Sequence, residues 1–338
     1  MSRCIKLAKK GLGSTYPNPL VGCVIVHKNK IIGEGWHEKA GEDHAEVRAI
    51  ASVKNQKLLK NSRIYVCLEP CSHYGKTPPC ANLIIDKEIP EIVIGAVDSF
   101  AAVAGSGIKK LLEAGRKVRV GVLEKECLAL NKRFNTFHQQ KRPHIILKWA
   151  QTADAFIAPK TQEEIFWISN SYSKQLVHKW RSEEASILVG TATAQKDNPQ
   201  LNTRNWAGTS PQRIVLDKDL KLPQDLHLFD GATPTYIFHN QNLTPENQNN
   251  TTYVPLDFSK NVLKQLLQSL YDLNIQSLIV EGGAHTLQEF IDQNIWDEAR
   301  LFFGKGQLSE GIKAPQFEFS PISTQTIADD CLKIFKND

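Results

Sequence analysis

Three side chains able to hold a zinc ion and one carboxylate able to move protons stand close together in this 338-residue chain: His44, Cys71 and Cys80, with Glu46 two positions after the histidine. Catalytic zinc commonly takes three protein ligands and leaves its fourth position to water, whose pKa falls towards neutrality. A His-x-Glu carboxylate kept off the metal can take a proton from that water and pass protons to a ring nitrogen and a departing amine, which is the chemistry of hydrolytic base deamination. Each piece alone is commonplace, because cysteines are often simply buried apolar residues and a lone His-x-Glu arises by chance. Together they point to one zinc ion per chain, held by His44, Cys71 and Cys80, with Glu46 as the catalytic acid and base.

The elements around these residues must bring them together. Residues 63–68, Arg-Ile-Tyr-Val-Cys-Leu, read as a short buried strand, and Glu69-Pro70-Cys71 ends it. A polar stretch at 57–61 precedes that strand. Residues 45–53 read as a helix, so His44 and Glu46 fall at its first turn. The rest of the first half alternates in the same way. Helices are expected at 2–11, from Cys80, and at 108–114, and strands at 21–26, 30–36, 91–96 and 118–122. A long helix at 124–138 follows, and strands separated by helices indicate a layered α/β sheet. The polar run Gln139-Gln-Lys-Arg-Pro143 marks the boundary, giving units 1–141 and 142–338.

The second half starts again with an apolar strand at 145–150. A helix at 171–182, strands at 186–189 and 212–216, an exposed Asn- and Gln-rich loop at 240–252, a helix at 262–271 and a strand at 277–281 complete a second α/β unit. No internal repeat and no motif shared by the halves is visible, so two different modules are joined. A strand running into Glu281-Gly282-Gly283 and a helix at 286–292 can offer backbone N–H groups to an anion. Taken alone, a glycine pair after a strand is more often a turn, and no Gly-x-Gly-x-x-Gly fingerprint supports a Rossmann domain.

The charge balance, 41 basic against 36 acidic residues for a net +5, is spread without a Lys/Arg block and is no nucleic-acid footprint. Seven cysteines in no regular framework suit a reducing cytoplasm. Neither a secretory signal nor an apolar run long enough for a membrane span is apparent.

Four segments, Thr15-Tyr-Pro-Asn-Pro-Leu-Val-Gly-Cys-Val-Ile-Val26, Gly33-Glu-Gly-Trp-His37, His44-Ala-Glu-Val47 and Leu68-Glu-Pro-Cys-Ser-His-Tyr-Gly-Lys-Thr-Pro-Pro-Cys80, resemble the deaminase half of the bifunctional riboflavin-biosynthesis deaminase/reductase family. Nucleic-acid deaminases usually carry Cys-x-x-Cys, whereas here a longer loop separates the cysteines. The resemblance implies a cytidine-deaminase-like α/β/α domain with Asn18, His37, His73, Lys76 and Asp98 around the substrate. Without it, Asn18 between two prolines reads as a turn former and His37 as the end of a strand.

The second half resembles the reductase of the same family through Arg142-Pro-His-Ile-Ile-Leu-Lys-Trp-Ala-Gln-Thr-Ala-Asp154, Trp167-Ile-Ser-Asn170, His178-Lys-Trp-Arg181, Leu188-Val-Gly-Thr191, Asp197-Asn-Pro-Gln-Leu-Asn-Thr-Arg204 and Glu281-Gly-Gly283. That half looks like dihydrofolate reductase in fold and binds NADPH without a Rossmann motif. The resemblance implies that Ala150, Trp167, Thr193, Asp197 and Gly283, with the helix leading to Glu289, lie along NADPH. It also implies that Arg181, Leu201, Arg204 and Glu281 line the substrate. Arginines suit the ribose phosphate, and the carboxylate suits sugar hydroxyls or pyrimidine amines.

Three positions depart from the family pattern. Ser99-Phe100-Ala101 stands where Pro-Asn-Pro is common, and Phe100 cannot make an amide hydrogen bond. Ala155 replaces a glycine, and Ile165 a serine that contacts substrate.

The resulting expectation is a cytoplasmic enzyme, a homo-oligomer by resemblance, acting on a phosphorylated pyrimidine with zinc and NADPH and using neither nucleic acid nor membrane. Two alternatives remain. A base deaminase acting on RNA or DNA would show Cys-x-x-Cys spacing and stacking aromatics. A deaminase whose reductase-like half has lost activity and serves as a nucleotide-binding or regulatory module would rest on the three departures.

Overall fold

The computed structural model describes residues 1–73, 78–99, 104–160 and 166–337. The chain divides into two compact units, Met1–Lys141 and Arg142–Asp338. Lys76, Phe100, Ala101 and Ile165 lie outside the described residues.

The first unit runs α1 (Ser2–Ala8), β1 (Gly22–His27), β2 (Lys30–Trp36), α2 (Ala45–Ala51), β3 (Arg63–Leu68), α3 (Cys80–Asp86), β4 (Glu91–Ala96), α4 (Ser106–Glu113), β5 (Lys117–Arg119), α5 (Glu124–Leu130) and α6 (Lys132–Gln140). Its sheet has the order β2-β1-β3-β4-β5. β1 is antiparallel to both neighbours, while β3, β4 and β5 are parallel. Central strands of such a sheet are covered on both faces, which is why β3 and β4 are nearly continuous apolar runs. Ala49, Ile50, Ile84 and Leu111 from α2, α3 and α4 cover one face. Cys4, Leu7, Cys127 and Leu130 from α1 and α5 cover the other, giving three layers.

Two elements differ from expectation. The polar stretch 57–61 is a 3-10 helix, Gln56–Asn61, capped by the Asn55 side chain and anchored by buried Leu59. The expected single helix at 124–138 is two, because Asn131 breaks it. Its side chain, 3% exposed, accepts from the Leu20 N–H at 2.7 Å and donates to the Leu20 carbonyl at 3.0 Å. A buried amide that meets a backbone group on both sides outweighs the continuity of one helix.

The second unit runs β6 (His144–Gln151), β7 (Phe156–Ala158), α7 (Ser171–Glu183), β8 (Ser186–Gly190), α8 (Thr191–Asp197), β9 (Gln212–Leu216), β10 (Thr235–Asn240), β11 (Thr251–Leu256), α9 (Val262–Asp272), β12 (Ser277–Val280), α10 (Ala284–Asp292), β13 (Glu298–Phe303), β14 (Ile312–Lys313), β15 (Ser323–Ile327) and β16 (Asp330–Lys336). Nine strands form one sheet in the order β11-β10-β9-β8-β12-β6-β13-β16-β15. The pairs are parallel except at the β13-β16-β15 edge. Leu263, Leu266, Leu270, Leu287 and Phe290 of α9 and α10 pack on one face. Val177, Trp180 and Ala194 of α7 and α8 pack on the other. Asn170 and Asn261 cap α7 and α9 by accepting from Ser173 N–H at 3.0 Å and Lys264 N–H at 2.8 Å. The strands β10, β11 and β13 to β16 and the helix α8 were absent from the sequence reading, and the exposed loop is the shorter stretch between β10 and β11.

Candidate active sites

In the first unit the site is assembled at element ends. His44 is the N-cap of α2 with extended backbone, which places Glu46 in the first turn. β3 delivers Glu69-Pro70-Cys71, and Cys80 opens α3. His44 Nδ1 lies 3.5 Å from Cys71 Sγ and 3.3 Å from Cys80 Sγ, and the three ligand atoms are all within 4.8 Å of one another. Nitrogen and sulfur ligands on tetrahedral zinc lie about 3.5 Å apart, so the spacing fits that ion. The Cys80 N–H donates to Cys71 Sγ at 3.3 Å, supporting negative charge there.

The thiol chemistry agrees. Hydrogen bonding from Cys80, then from His44, pulls Cys71 down against the effect of burial, while the same thiol contact drives Cys80 well up. Two thiols this close oppose each other's ionisation, and a divalent cation would let both become thiolates. Burial, then the Cys71 charge, raises the Glu46 carboxyl to about 7. A cation bound beside it would draw that value down again.

His37 is buried, 3% exposed, and burial lowers its pKa. As a neutral ring it donates from Nδ1 to the Asp43 carbonyl at 3.1 Å and accepts at Nε2 from Asn18 Nδ2 at 3.0 Å. Its ring meets that of His44 edge-on with centroids 5.6 Å apart. Asn18, His37 and the metal ligands thus form one connected group. Asp98 lies two residues past the end of β4, its N–H donating to Glu69 Oε2 at 3.3 Å. His73, two residues past Cys71, is exposed. Glu69 itself was not singled out in the sequence; its place between a buried strand and a metal ligand was the available signal.

In the second unit Arg181 of α7 grips Glu281 at the end of β12, with Nε at 3.2 Å and Nη2 at 2.7 Å, and Nη1 donates to the Asn202 carbonyl at 3.3 Å. Lys148 of β6 lies 3.8 Å from the same carboxylate. Burial would raise Glu281, but Arg181 and Lys148 outweigh it and hold its carboxyl at about 2. Burial, then Arg181 and Arg204, pushes the His178 imidazole down to about 4, so it is neutral near pH 7.

Arg181, Glu281 and Lys148 border a cleft of about 480 Å³ that is also lined by Trp167, Thr193, Asp197, Leu201 and Arg204. A second cleft of about 430 Å³ is lined by Thr191, Thr193, Leu216, Leu266, Gly283 and Glu289 among others. Thr193 lines both clefts, and NADPH is the ligand expected beside it.

The strand-to-helix turns fit that use. A Cβ on Gly190 would sit 2.6 Å from Thr286 Oγ1, and Gly283 has φ +77°, a conformation glycine adopts without strain. Leu201, 2% exposed, takes φ 52° at the cleft wall. Such strain in a bulky residue persists only where the surroundings enforce it. Trp167 is 55% exposed, with Lys174 Nζ 3.4 Å from its ring centroid.

Arg181 Nε and Nη2 are engaged by the Glu281 carboxylate, and Arg204 Nη1 donates to Asn202 Oδ1 at 3.1 Å. Ala150 packs against the core beside Phe302 and is not among the residues lining either cleft. Lys148 was overlooked. A lysine inside an otherwise apolar strand was the signal, since a buried cation requires a partner.

At Ala155, where the family pattern has glycine, φ is 64°. The alanine accepts the left-handed turn, and the Asp154 carboxylate fixes it by receiving the Leu308 and Ser309 N–H groups at 3.0 and 2.8 Å. No described helix is long and apolar enough to cross a membrane.

Residues 1–96 match the cytidine and deoxycytidylate deaminase zinc-binding region, and residues 143–306 match the RibD C-terminal domain. The riboflavin biosynthesis protein RibD of Aquifex aeolicus is 38% identical over 316 residues, spanning 92% of this chain and 88% of its own. RibD of Actinobacillus pleuropneumoniae is 41% identical over 293 residues, or 84% and 77% of the two chains. The solved structure of a diaminohydroxyphosphoribosylaminopyrimidine deaminase/5-amino-6-(5-phosphoribosylamino)uracil reductase from Thermotoga maritima superposes with a TM-score of 0.91 at 33% identity. That match covers 99% of this chain and 97% of the other.

Proposed function

Because the chain belongs to the RibD family, the bifunctional deaminase and reductase of riboflavin biosynthesis, we propose how its own residues carry the two reactions. The first replaces the 2-amino group of 2,5-diamino-6-(5-phosphoribosylamino)pyrimidin-4-one by oxygen, consuming water and releasing ammonia. The second breaks the C1′–O4′ bond of the ribosyl group, delivers hydride from NADPH to C1′ and a proton from solvent to the freed ring oxygen, and so gives ribityl and NADP⁺.

His44, Cys71 and Cys80 would hold the zinc ion, which would make a bound water acidic near neutral pH. Glu46, buried in the first turn of α2 beside those ligands, takes a proton from the attacking water and returns protons to the ring nitrogen and the departing amine. Asn18, its Nδ2 turned to His37, presents its amide oxygen to the pyrimidine edge. Asp98 faces the pyrimidine or ribose, His73 stands at the rim, and Lys76 is assigned to the phosphate.

In the second unit NADPH supplies the hydride. Thr193, Asp197, Trp167 and the Gly283 turn are assigned to the cofactor, with Ala150 as a backbone neighbour through β6. Glu281, kept ionised by Arg181 and Lys148, accepts from ribose hydroxyls, Leu201 packs on the substrate, and Arg204 binds its phosphate. No covalent nucleophile is required, since positioning of donor and acceptor accounts for the catalysis. No observation favours the alternative of an inactive second unit.

A homo-oligomer in the cytoplasm, using no nucleic acid, completes the reading. The seven cysteines, all unpaired, suit that compartment.

The single observation that carries the reading is the convergence of His44, Cys71 and Cys80 beside buried Glu46 in a chain whose other unit has the charged cleft. Zinc-loaded protein given the diamino substrate is expected to release ammonia and then consume NADPH in step. Ammonia without NADPH loss would rule out the bifunctional assignment. Arg204→Ala is expected to raise the KM for reduction about tenfold or more with little change in kcat, the pattern of a lost uniform binding contact. Titrating substrate against NADPH absorbance checks it, and an unchanged KM removes Arg204 from the phosphate site.

A further inference from the structure

Asp98 follows β4, and two side chains, Glu69 and Asn135, hold the backbone and the neighbouring Ser99 there. Glu69, 6% exposed, gives one carboxylate oxygen to the N–H groups of Asp98 and Gly105 at 3.3 and 2.9 Å. Its other oxygen accepts from Gly107 and Ile108 at 2.8 and 3.2 Å. Only Pro70 separates this residue from the metal ligand Cys71. A Cβ on Gly107 would lie 2.0 Å from the Pro70 carbonyl oxygen, so the first turn of α4 is pressed directly onto the turn that bears the cysteine.

The second hold comes from α6. Ser99 Oγ donates to Asn135 Oδ1 at 2.7 Å, and Asn135 Nδ2 in turn donates to the Leu128 carbonyl at 3.2 Å. One turn earlier on the same side of the chain, Asn131 holds Leu20, two residues past Asn18. The two arms proposed to read the pyrimidine therefore hang on neighbouring asparagines of one helix junction. Ser99 stands where the family pattern has proline; a proline ring fixes the backbone covalently, and here a hydroxyl anchor restrains the same position.

We propose that Glu69 and Asn135, the latter through Ser99, are positioning residues for deamination, holding the Asp98 arm at the metal site so that Asp98 meets the substrate. The proposal rests on the assignment of Asp98 above. Neither residue touches a reacting atom. Their effect is geometric, and a displacement of about 1 Å at a reading group is enough to cost up to about a hundredfold in kcat/KM.

The test uses zinc-loaded full-length protein with ammonia release followed against concentration of the diamino substrate. Ser99→Ala and Asn135→Leu are expected to raise KM about tenfold while kcat changes less than about twofold. Ser99→Thr keeps the hydroxyl and should restore the original KM. Glu69→Gln should act more strongly, because its NH2 group would face backbone N–H groups. Bound zinc, and the rate of NADPH-dependent reduction of separately supplied deaminated intermediate, should stay as in the unaltered protein for all four variants. Asp98→Ala is run beside them. If Asp98→Ala raises KM while Ser99→Ala and Asn135→Leu only lower the melting temperature, the clamp is purely structural and the proposal fails. If Glu69→Gln loses zinc, Glu69 acts through the metal and its part fails. If Asp98→Ala leaves KM unchanged, the assignment of Asp98 falls first and the clamp with it.

Discussion

Glu46→Gln is expected to lower deamination by about a thousandfold, the loss of a positioned acid and base, while leaving reduction of the deaminated intermediate intact. The amide is close in shape to the carboxyl it replaces but cannot take a proton near neutral pH. The carboxyl it removes is buried, 3% exposed, in the first turn of α2 beside the ligand set. His44, Cys71 and Cys80 are untouched, and the variant should retain its zinc. The measurement pairs ammonia release from the diamino compound with NADPH consumption on the intermediate supplied directly. Ammonia release within tenfold of the unaltered enzyme would mean that another group moves the protons.

Glu281→Gln carries the second largest expectation, in the other unit. It leaves Arg181 and Lys148 facing a neutral amide in a place where burial already lowers the lysine. Removing one partner from a buried charge group costs about 3 kcal/mol or more because the other charges are stranded. Reduction is separately expected to fall about a hundredfold through loss of the charge that meets the substrate, with deamination unchanged. Lys148→Met combined with Glu281→Gln should recover part of the loss, since the stranded cation is gone, and the shortfall from additivity measures the coupling. NADPH absorbance with the intermediate as substrate reads the rate, and fluorescence of bound NADPH shows whether the cofactor is still held. A single mutant as fast as the original would remove Glu281 from the substrate site.

The metal site was legible because its four groups lie in two short segments whose elements are also locally legible: a helix opening at Ala45, and a buried strand ending at Leu68. Type and spacing then suffice. The partner of Arg181 was not legible in the same way, since Glu281 lies 100 residues further on, and only the fold reveals that the arginine fork is already engaged. Asn131 was missed for the same reason: nothing near it signals that its amide will close on Leu20, 111 residues away. The strands β15 and β16 escaped because they form an antiparallel edge with polar exposed positions, as in Ser-Thr-Gln-Thr-Ile at 323–327. Short strands of mixed polarity lack the apolar run that identified β3, β6 and β12. Lys148 and Glu69 show the limit from the other side. Both were visible as charges inside apolar context, but which donors and acceptors they would meet depended on elements distant in sequence.

The bond between Asn131 and Leu20 also bears on the order in which the chain can take shape during synthesis. Contacts between distant segments form late and slow the folding of a domain, and here the arm carrying Asn18 obtains its backbone partner only when residue 131 has been made. Chains emerge at about 5–20 residues per second and fold domain by domain from the N-terminus. The sheet and the three zinc ligands can therefore come together before the arm is fastened. Because the first unit closes at Lys141, every group it needs has been made before the second unit begins, so a nascent chain cut short within the reductase should already bind zinc and deaminate.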